Sequence, residues 1–180
     1  MDHDTSREEE AAAVLWRGTV RAVASGPTPD EAWALLGDFC SLDRWVSTVR
    51  TCRRVVEMEV DGAAEPEPEG EGRPDAPGCV RYCEGPVNMA APGEPVGWSK
   101  ERLLETDHAG RCYELLDSNK GFGRYRATVR VEHDPAGCAV SWSFEADPVK
   151  GWTLEGFVAF LDKLARGVAQ RLEEEIMVRP

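Results

Sequence analysis

The chain has 180 residues, 42% hydrophobic and 30% charged, which is enough to build the core of one domain. No apolar run approaches the ~20 residues of a membrane-crossing helix, and a net charge of −12 offers no basic face to nucleic acid or anionic lipid. The charge is uneven: residues 1–10 carry −4 and residues 57–75 carry −7, leaving about −1 for everything else.

The polar, acidic start is unlike a secretory signal and points to a cytoplasmic protein. Residues 1–13 read as a disordered acidic tail, and 14–177 as a single domain, expected to be a monomer. Six cysteines stand at positions 40, 52, 79, 83, 112 and 138, with no CxxC pair. On one strand, Cys79 and Cys83 would lie roughly 13 Å apart, too far to share a metal ion. Reduced, mostly buried thiols are expected, with no metal site. His3, His108 and His133 lie in the tail or at turns, without a partner on a helix face. No phosphate-binding or dinucleotide glycine fingerprint joins a strand to a helix, so no cofactor is expected.

Residues 15–25 alternate Trp16 and Val20 with Arg17 and Arg21, which predicts a first strand. Thr28-Pro29-Asp30-Glu31 is a strong helix start: Thr28 can cap, Pro29 suits the first helical position and Glu31 can close a capping box. Ala32, Leu35, Leu36 and Phe39 follow at helical spacing. Residues 41–45 predict a second short helix capped by Ser41, and Trp33 and Trp45 read as core packing. Residues 50–60 read as a strand by their valines. Residues 61–77, rich in Pro, Gly and Glu, read as a solvated acidic insert. Strands then follow over 79–84, 98–107, 111–117, 125–132 and 138–146, with a Gly/Pro loop at 85–97 and turns at 108–110 and 134–137.

The chain closes on a long amphipathic helix over about 153–176. Phe157, Phe160, Leu161, Leu164, Val168, Leu172 and Ile176 form one apolar stripe, and Thr153 is its N-cap. Such a helix is roughly 36 Å long, and only the strands can cover its stripe. The expected fold is therefore α+β: an antiparallel seven-stranded sheet curved around a long C-terminal helix, with two short helices after the first strand. A bent sheet cannot touch its helix along the whole length, so a ligand cavity between them is expected.

Period-two parity sorts the strands. Tyr125, Ala127, Val129 and Val131 face inward, as do Val140, Trp142 and Phe144. Tyr113 and Leu115 are placed inward, although Arg111 and Asp117 share their parity. Giving Lys100 and Arg102 to water sends Ser99, Glu101 and Leu103 inward. Cys79, Arg81 and Cys83 share the inner face of their strand, although Val80 and Tyr82 argue the other way. One arginine and one glutamate then lie in an apolar hollow with Tyr113, Tyr125 and Trp142. Parity leaves two readings open: a structural Arg81–Glu101 bridge, or a functional pair in which Arg81 holds an oxyanion and Glu101 shuttles a proton.

The runs Gly78-Cys79-Val80-Arg81-Tyr82, Trp98-Ser99-Lys100-Glu101-Arg102-Leu103, Gly121-Phe122-Gly123-Arg124-Tyr125-Arg126-Ala127-Thr128 and Trp142-Ser143-Phe144 resemble the plant lachrymatory-factor synthase family. So does Glu31-Ala32-Trp33-Ala34-Leu35-Leu36-Gly37-Asp38-Phe39. That family belongs to the START-like, Bet v 1-like superfamily, which includes the polyketide cyclases. The resemblance implies a helix-grip fold and a cofactor-free isomerisation of an alkenyl sulfenic acid to a thial S-oxide. It implies Arg81 and Glu101 as the catalytic pair and Tyr113 and Tyr125 as pocket tyrosines; with the parity reading of Trp142, Phe144 and Leu103, and with Leu164 on the helix, these are the residues expected around the substrate. Leu164 stands where the family carries an aromatic residue, and the acidic insert is foreign to its usual strand connection. The abscisic-acid receptor gate and latch motifs are absent, as is the glycine-rich loop of pathogenesis-related Bet v 1 proteins. The alternative expectation is a non-catalytic carrier or sensor of a small hydrophobic metabolite.

Overall fold

The computed structural model describes residues 14–55, 76–85, 93 and 95–178. The expected tail 1–13, residues 61–75 of the insert, most of the 85–97 loop and the far end of the 50–60 strand lie outside the described residues. Seven antiparallel strands form one sheet in the order β1-β7-β6-β5-β4-β3-β2. They are β1 (Trp16–Ser25), β2 (Thr51–Val55), β3 (Val80–Glu84), β4 (Trp98–Thr106), β5 (Gly110–Ser118), β6 (Tyr125–Asp134) and β7 (Gly137–Ala146). The helices are α1 (Pro29–Leu36), α2 (Leu42–Trp45) and α3 (Leu154–Val178). Among the described residues no helix is long and apolar enough to cross a membrane.

Local chemistry explains the helix starts. Thr28 Oγ accepts from the Glu31 amide while the Glu31 carboxylate accepts from the Thr28 amide, closing the expected capping box. Thr153 Oγ accepts from the Gly156 amide and caps α3. Ser41 does not cap α2: its hydroxyl turns back to donate to the Asp38 carbonyl at 2.9 Å, stabilising the preceding turn instead.

α3 buries Phe157, Leu161, Ala165, Val168, Ala169 and Leu172 along one stripe. The small residues Ala165 and Ala169 let its axis settle close to the sheet, mainly over β1 and β7. α1 packs on β6 and β7, and α2 reaches β2 and α3. The helix therefore covers one side of the sheet and leaves the inner face of β3–β5 to the short helices and loops, which fill it incompletely.

Two register shifts in the β4–β5 ladder adjust the parity. Lys100 pairs with Asp117 but Glu101 pairs with Leu115, so Leu116 is an extra residue on β5. This bulge settles the conflict in β5: Tyr113 and Leu115 point inward while Asp117 stands exposed. The second shift leaves Leu104 extra on β4.

Gly137, which opens β7, is pressed against β1. A Cβ there would come within 2.8 Å of the Ala24 and Pro27 carbonyl oxygens and the Gly26 amide nitrogen. In α3, a Cβ on Gly167 would meet nothing within 4 Å. Alanine should thus have opposite effects at the two sites. Urea unfolding is expected to show Gly137→Ala losing about 2 kcal/mol and Gly167→Ala gaining about 0.5–1 kcal/mol.

Candidate functional site

β3 and β4 set Arg81 and Glu101 directly opposite each other. Arg81 Nε donates to Glu101 Oε1 at 2.9 Å, and Arg81 Nη1 donates to the Phe39 carbonyl at 2.9 Å. The guanidinium lies against two rings, 4.1 Å from the Phe39 centroid and 4.7 Å from that of Tyr113. Only 3% of the Arg81 side chain and 11% of that of Glu101 is exposed, so the pair is buried. Burial alone would make Arg81 a weaker base. The Glu101 carboxylate, with Cys83, Tyr113 and Cys52 behind it, outweighs that cost and holds the guanidinium charged above its ordinary range.

The inner parity of β3 follows from what covers each face. Cys79, Arg81 and Cys83 lie on the inner side. Val80 is buried too, but outside the main core, and Tyr82 stacks on Trp98 with the Arg53 guanidinium 4.8 Å from its ring. Apolar residues on this strand therefore occur on both faces, which is why they pulled the parity two ways.

Between the inner face of β3–β7 and α3 lies a cavity of about 120 Å³. Glu101, Tyr113, Tyr125, Trp142 and Leu164 all line it. The other three expected residues stand behind its walls. Arg81 lines a smaller adjoining void of about 50 Å³ that shares Tyr113 and Trp142 as a partition. Leu103 is almost fully buried in the core. Phe144 packs on Phe157 at 4.9 Å and stacks beneath Tyr125 at 6.5 Å. Parity assigns a side to each of these residues, but the packing of its neighbours decides whether it reaches the void.

Several walls escaped the parity argument because they come from outside the strands. Leu42 and Val46, one helical turn apart around α2, line the cavity, as do Phe157, Phe160 and Leu161 of α3. The apolar stripe of α3 was the signal for the latter three. Phe122, expected in a loop beside the mouth, meets Tyr125 and Phe157 edge-on. Ser118 at the end of β5 and Lys120 in the β5–β6 connection bring polar groups.

Burial raises both tyrosine hydroxyls: Tyr113 well above its ordinary range and Tyr125 also upward, with Glu101 adding to each. Both therefore remain neutral donors at physiological pH. Glu101 Oε1 is taken by Arg81, and Oε2 accepts no bond among the described residues. The buried Trp142 indole N–H makes no hydrogen bond of good geometry among the described residues and leans toward the Tyr125 hydroxyl, whose upward shift it offsets in part. The site can therefore present a carboxylate, neutral phenols and an indole donor to a small guest between apolar walls. No cluster of metal-ligating side chains occurs among the described residues.

The chain's relatives agree with this architecture. The family described as polyketide cyclase / dehydrase and lipid transport matches residues 17–176. Among solved structures, XoxI from Bacillus cereus superposes with a TM-score of 0.59 at 15% identity, over 92% of this chain and 96% of that one. The di-domain ARO/CYC StfQ from the steffimycin biosynthetic pathway gives 0.62 at 11% identity, over 95% of this chain and 55% of the other. Ara h 8.0201 gives 0.60 at 12% identity, over 92% and 100% of the two chains. At these identities the structural likeness speaks for the fold, the Bet v 1-like helix grip. The match across nearly the whole sequence, together with a long C-terminal helix gripped by an antiparallel sheet, makes the chain a member of the polyketide cyclase / dehydrase and lipid transport family.

Proposed function

We propose that the cavity binds one small, largely apolar molecule carrying a hydrogen-bond acceptor, and that Glu101 moves a proton on it without a cofactor. The observation that carries this reading is the Glu101 carboxylate in the wall of an otherwise mostly apolar cavity, with Tyr113 and Tyr125 in the same lining. Size narrows the guest. At about 120 Å³ the space is close to the engineered void that takes one benzene, and well below the ~300–1,000 Å³ of pockets for drug-sized ligands. A short-chain substrate suits it better than a multi-ring polyketide.

The resemblance to lachrymatory-factor synthases supplies a reaction of that scale. Glu101 takes the S–O–H proton of an alkenyl sulfenic acid and returns it to the far alkenyl carbon. The C=C bond becomes single, C–S becomes C=S, and no atom is gained or lost. The Trp142 N–H and the tyrosine hydroxyls steady the oxygen as its charge develops. Arg81 stands behind this wall, so its part is to aim Glu101 through the 2.9 Å ion pair rather than to touch the substrate. The rival reading, a carrier without chemistry, draws on the mostly apolar lining.

The purified protein, given an alkenyl sulfenic acid generated in situ, is expected to yield the thial S-oxide. Glu101→Gln should lower that rate by about 10²-fold or more. Absence of product from the unaltered protein would leave only the carrier reading. Trp142→Phe removes the donor and leaves a smaller ring in the same wall. Titration with a small acceptor-bearing ligand should show it binding about 5–10-fold more weakly than the parent; equal affinity would remove Trp142 from the site. Stability tests the ion pair separately. Arg81→Met alone should cost about 3–5 kcal/mol in urea unfolding, and adding Glu101→Leu should restore much of it.

A further inference from the structure

Four of the six thiols, Cys40, Cys52, Cys79 and Cys83, gather at the β2–β3 end of the sheet beside Arg81. The proposed chemistry at Glu101 uses none of them. Two of them meet: Cys52 on the edge strand lies opposite Cys83, and the Cys83 thiol donates to Cys52 Sγ at 3.2 Å. Gly85 N bonds to Gly97 O, and Leu103 N to Cys79 O, so the odd-numbered backbone groups around β3 turn toward β4. Arg50 N reaches Glu84 O, placing the even-numbered ones toward β2. Cys52 and Cys83 are therefore a non-hydrogen-bonded pair of an antiparallel ladder. Such pairs bring their Cα atoms to about 4.5 Å and their side chains closest, inside the ~4.4–6.8 Å window that a disulfide spans.

We propose that Cys52 and Cys83 form a redox-active dithiol in the wall of the ligand cavity, which hydrogen peroxide oxidises to a cross-strand disulfide.

The two sulfurs have different environments. Cys52 is partly exposed on the edge strand, flanked in sequence by Arg50, Arg53 and Arg54, while Cys83 is 2% exposed and lines the cavity beside Glu101. The hydrogen bond from Cys83 pulls Cys52 below the ordinary thiol range, helped by Arg81; the same bond and burial push Cys83 upward. Cys52, the more exposed sulfur and the acceptor of the Cys83 S–H, is the one that attacks first. Its sulfur takes one peroxide oxygen, the O–O bond breaks and the other oxygen leaves as water, giving a sulfenic acid. Cys83 then loses its proton and attacks that sulfur. The S–S bond forms, the S–O bond breaks, and the second oxygen leaves as water carrying the proton. The two sulfurs together give up two electrons, and one peroxide is reduced to two waters. Closing from 3.2 Å to about 2.05 Å needs a shift of about 1 Å, which an edge strand can supply. The product ties β2 to β3 across a span of 31 residues and draws Cys83 Sγ away from the cavity.

The full-length protein, fully reduced and then treated with equimolar hydrogen peroxide, should fall from six free thiols to four. Tryptic mapping should find peptide 51–53 linked to peptide 82–100, a cross-link that dithiothreitol removes. Melting temperature should rise by about 5–10 °C on oxidation and fall back on reduction. In Cys83→Ser, dimedone should trap a sulfenic acid on Cys52; in Cys52→Ser, no adduct should form on Cys83. Cross-linking through Cys40 or Cys79 instead, six thiols persisting under peroxide, or dimedone capture at Cys112 before Cys52 would each overturn the proposal.

Discussion

A guanidinium cannot stay in a protein interior unless something answers its charge, and much of this molecule is arranged to answer Arg81. Removing the two ions of the pair from water costs several kcal/mol each, and only close geometry recovers it. The register of β3 against β4 supplies the carboxylate of Glu101. The turn after α1 supplies the Phe39 carbonyl, and the Phe39 and Tyr113 rings supply two π faces. One side chain thus fixes the relative positions of two strands, the β5 face and the segment that leads into α2. Arg111 plays a similar part nearby, donating to the Leu36 carbonyl with its guanidinium 4.8 Å from the Trp33 ring. Two buried cations therefore pin the short helical region to the sheet.

That anchoring makes the cavity. α3 is seated by small residues on β1 and β7, and α1 and α2 are held by arginines at the other end. Neither group can close on the space between them without losing contacts already made. The void keeps a polar floor because Glu101 must stay with Arg81. Its remaining walls are apolar because they come from the helix stripe and the inner faces of β5–β7. A carboxylate facing neutral phenols between apolar walls is an arrangement suited to moving a proton on a small guest.

Much of the site could be seen in the pattern of residues. The water-facing Lys100 and Arg102 sent Glu101 inward, and Tyr125 and Trp142 followed from Arg126, Arg130, Ser141 and Ser143 on the opposite parity. β3 was the hard strand, since Val80 and Tyr82 are covered on the outer face while the cysteines are covered on the inner one. Asp117 broke the parity of β5 because of one extra residue in the ladder, which spacing alone does not reveal. Phe144, Leu103 and Arg81 all point inward, yet other side chains stand between them and the cavity.

Element order, the gripped helix, the faces of most strands and an acid and a base inside the fold are all legible in the amino-acid pattern. These depend on periodicity, capping and turn chemistry, which act over a few neighbouring residues. Tertiary packing alone brings Arg81 to Glu101 and Cys52 to Cys83, and leaves a space of about 120 Å³ beside them. These are matters of register and packing between segments up to a hundred residues apart, where a one-residue bulge or one intervening ring changes which atoms meet.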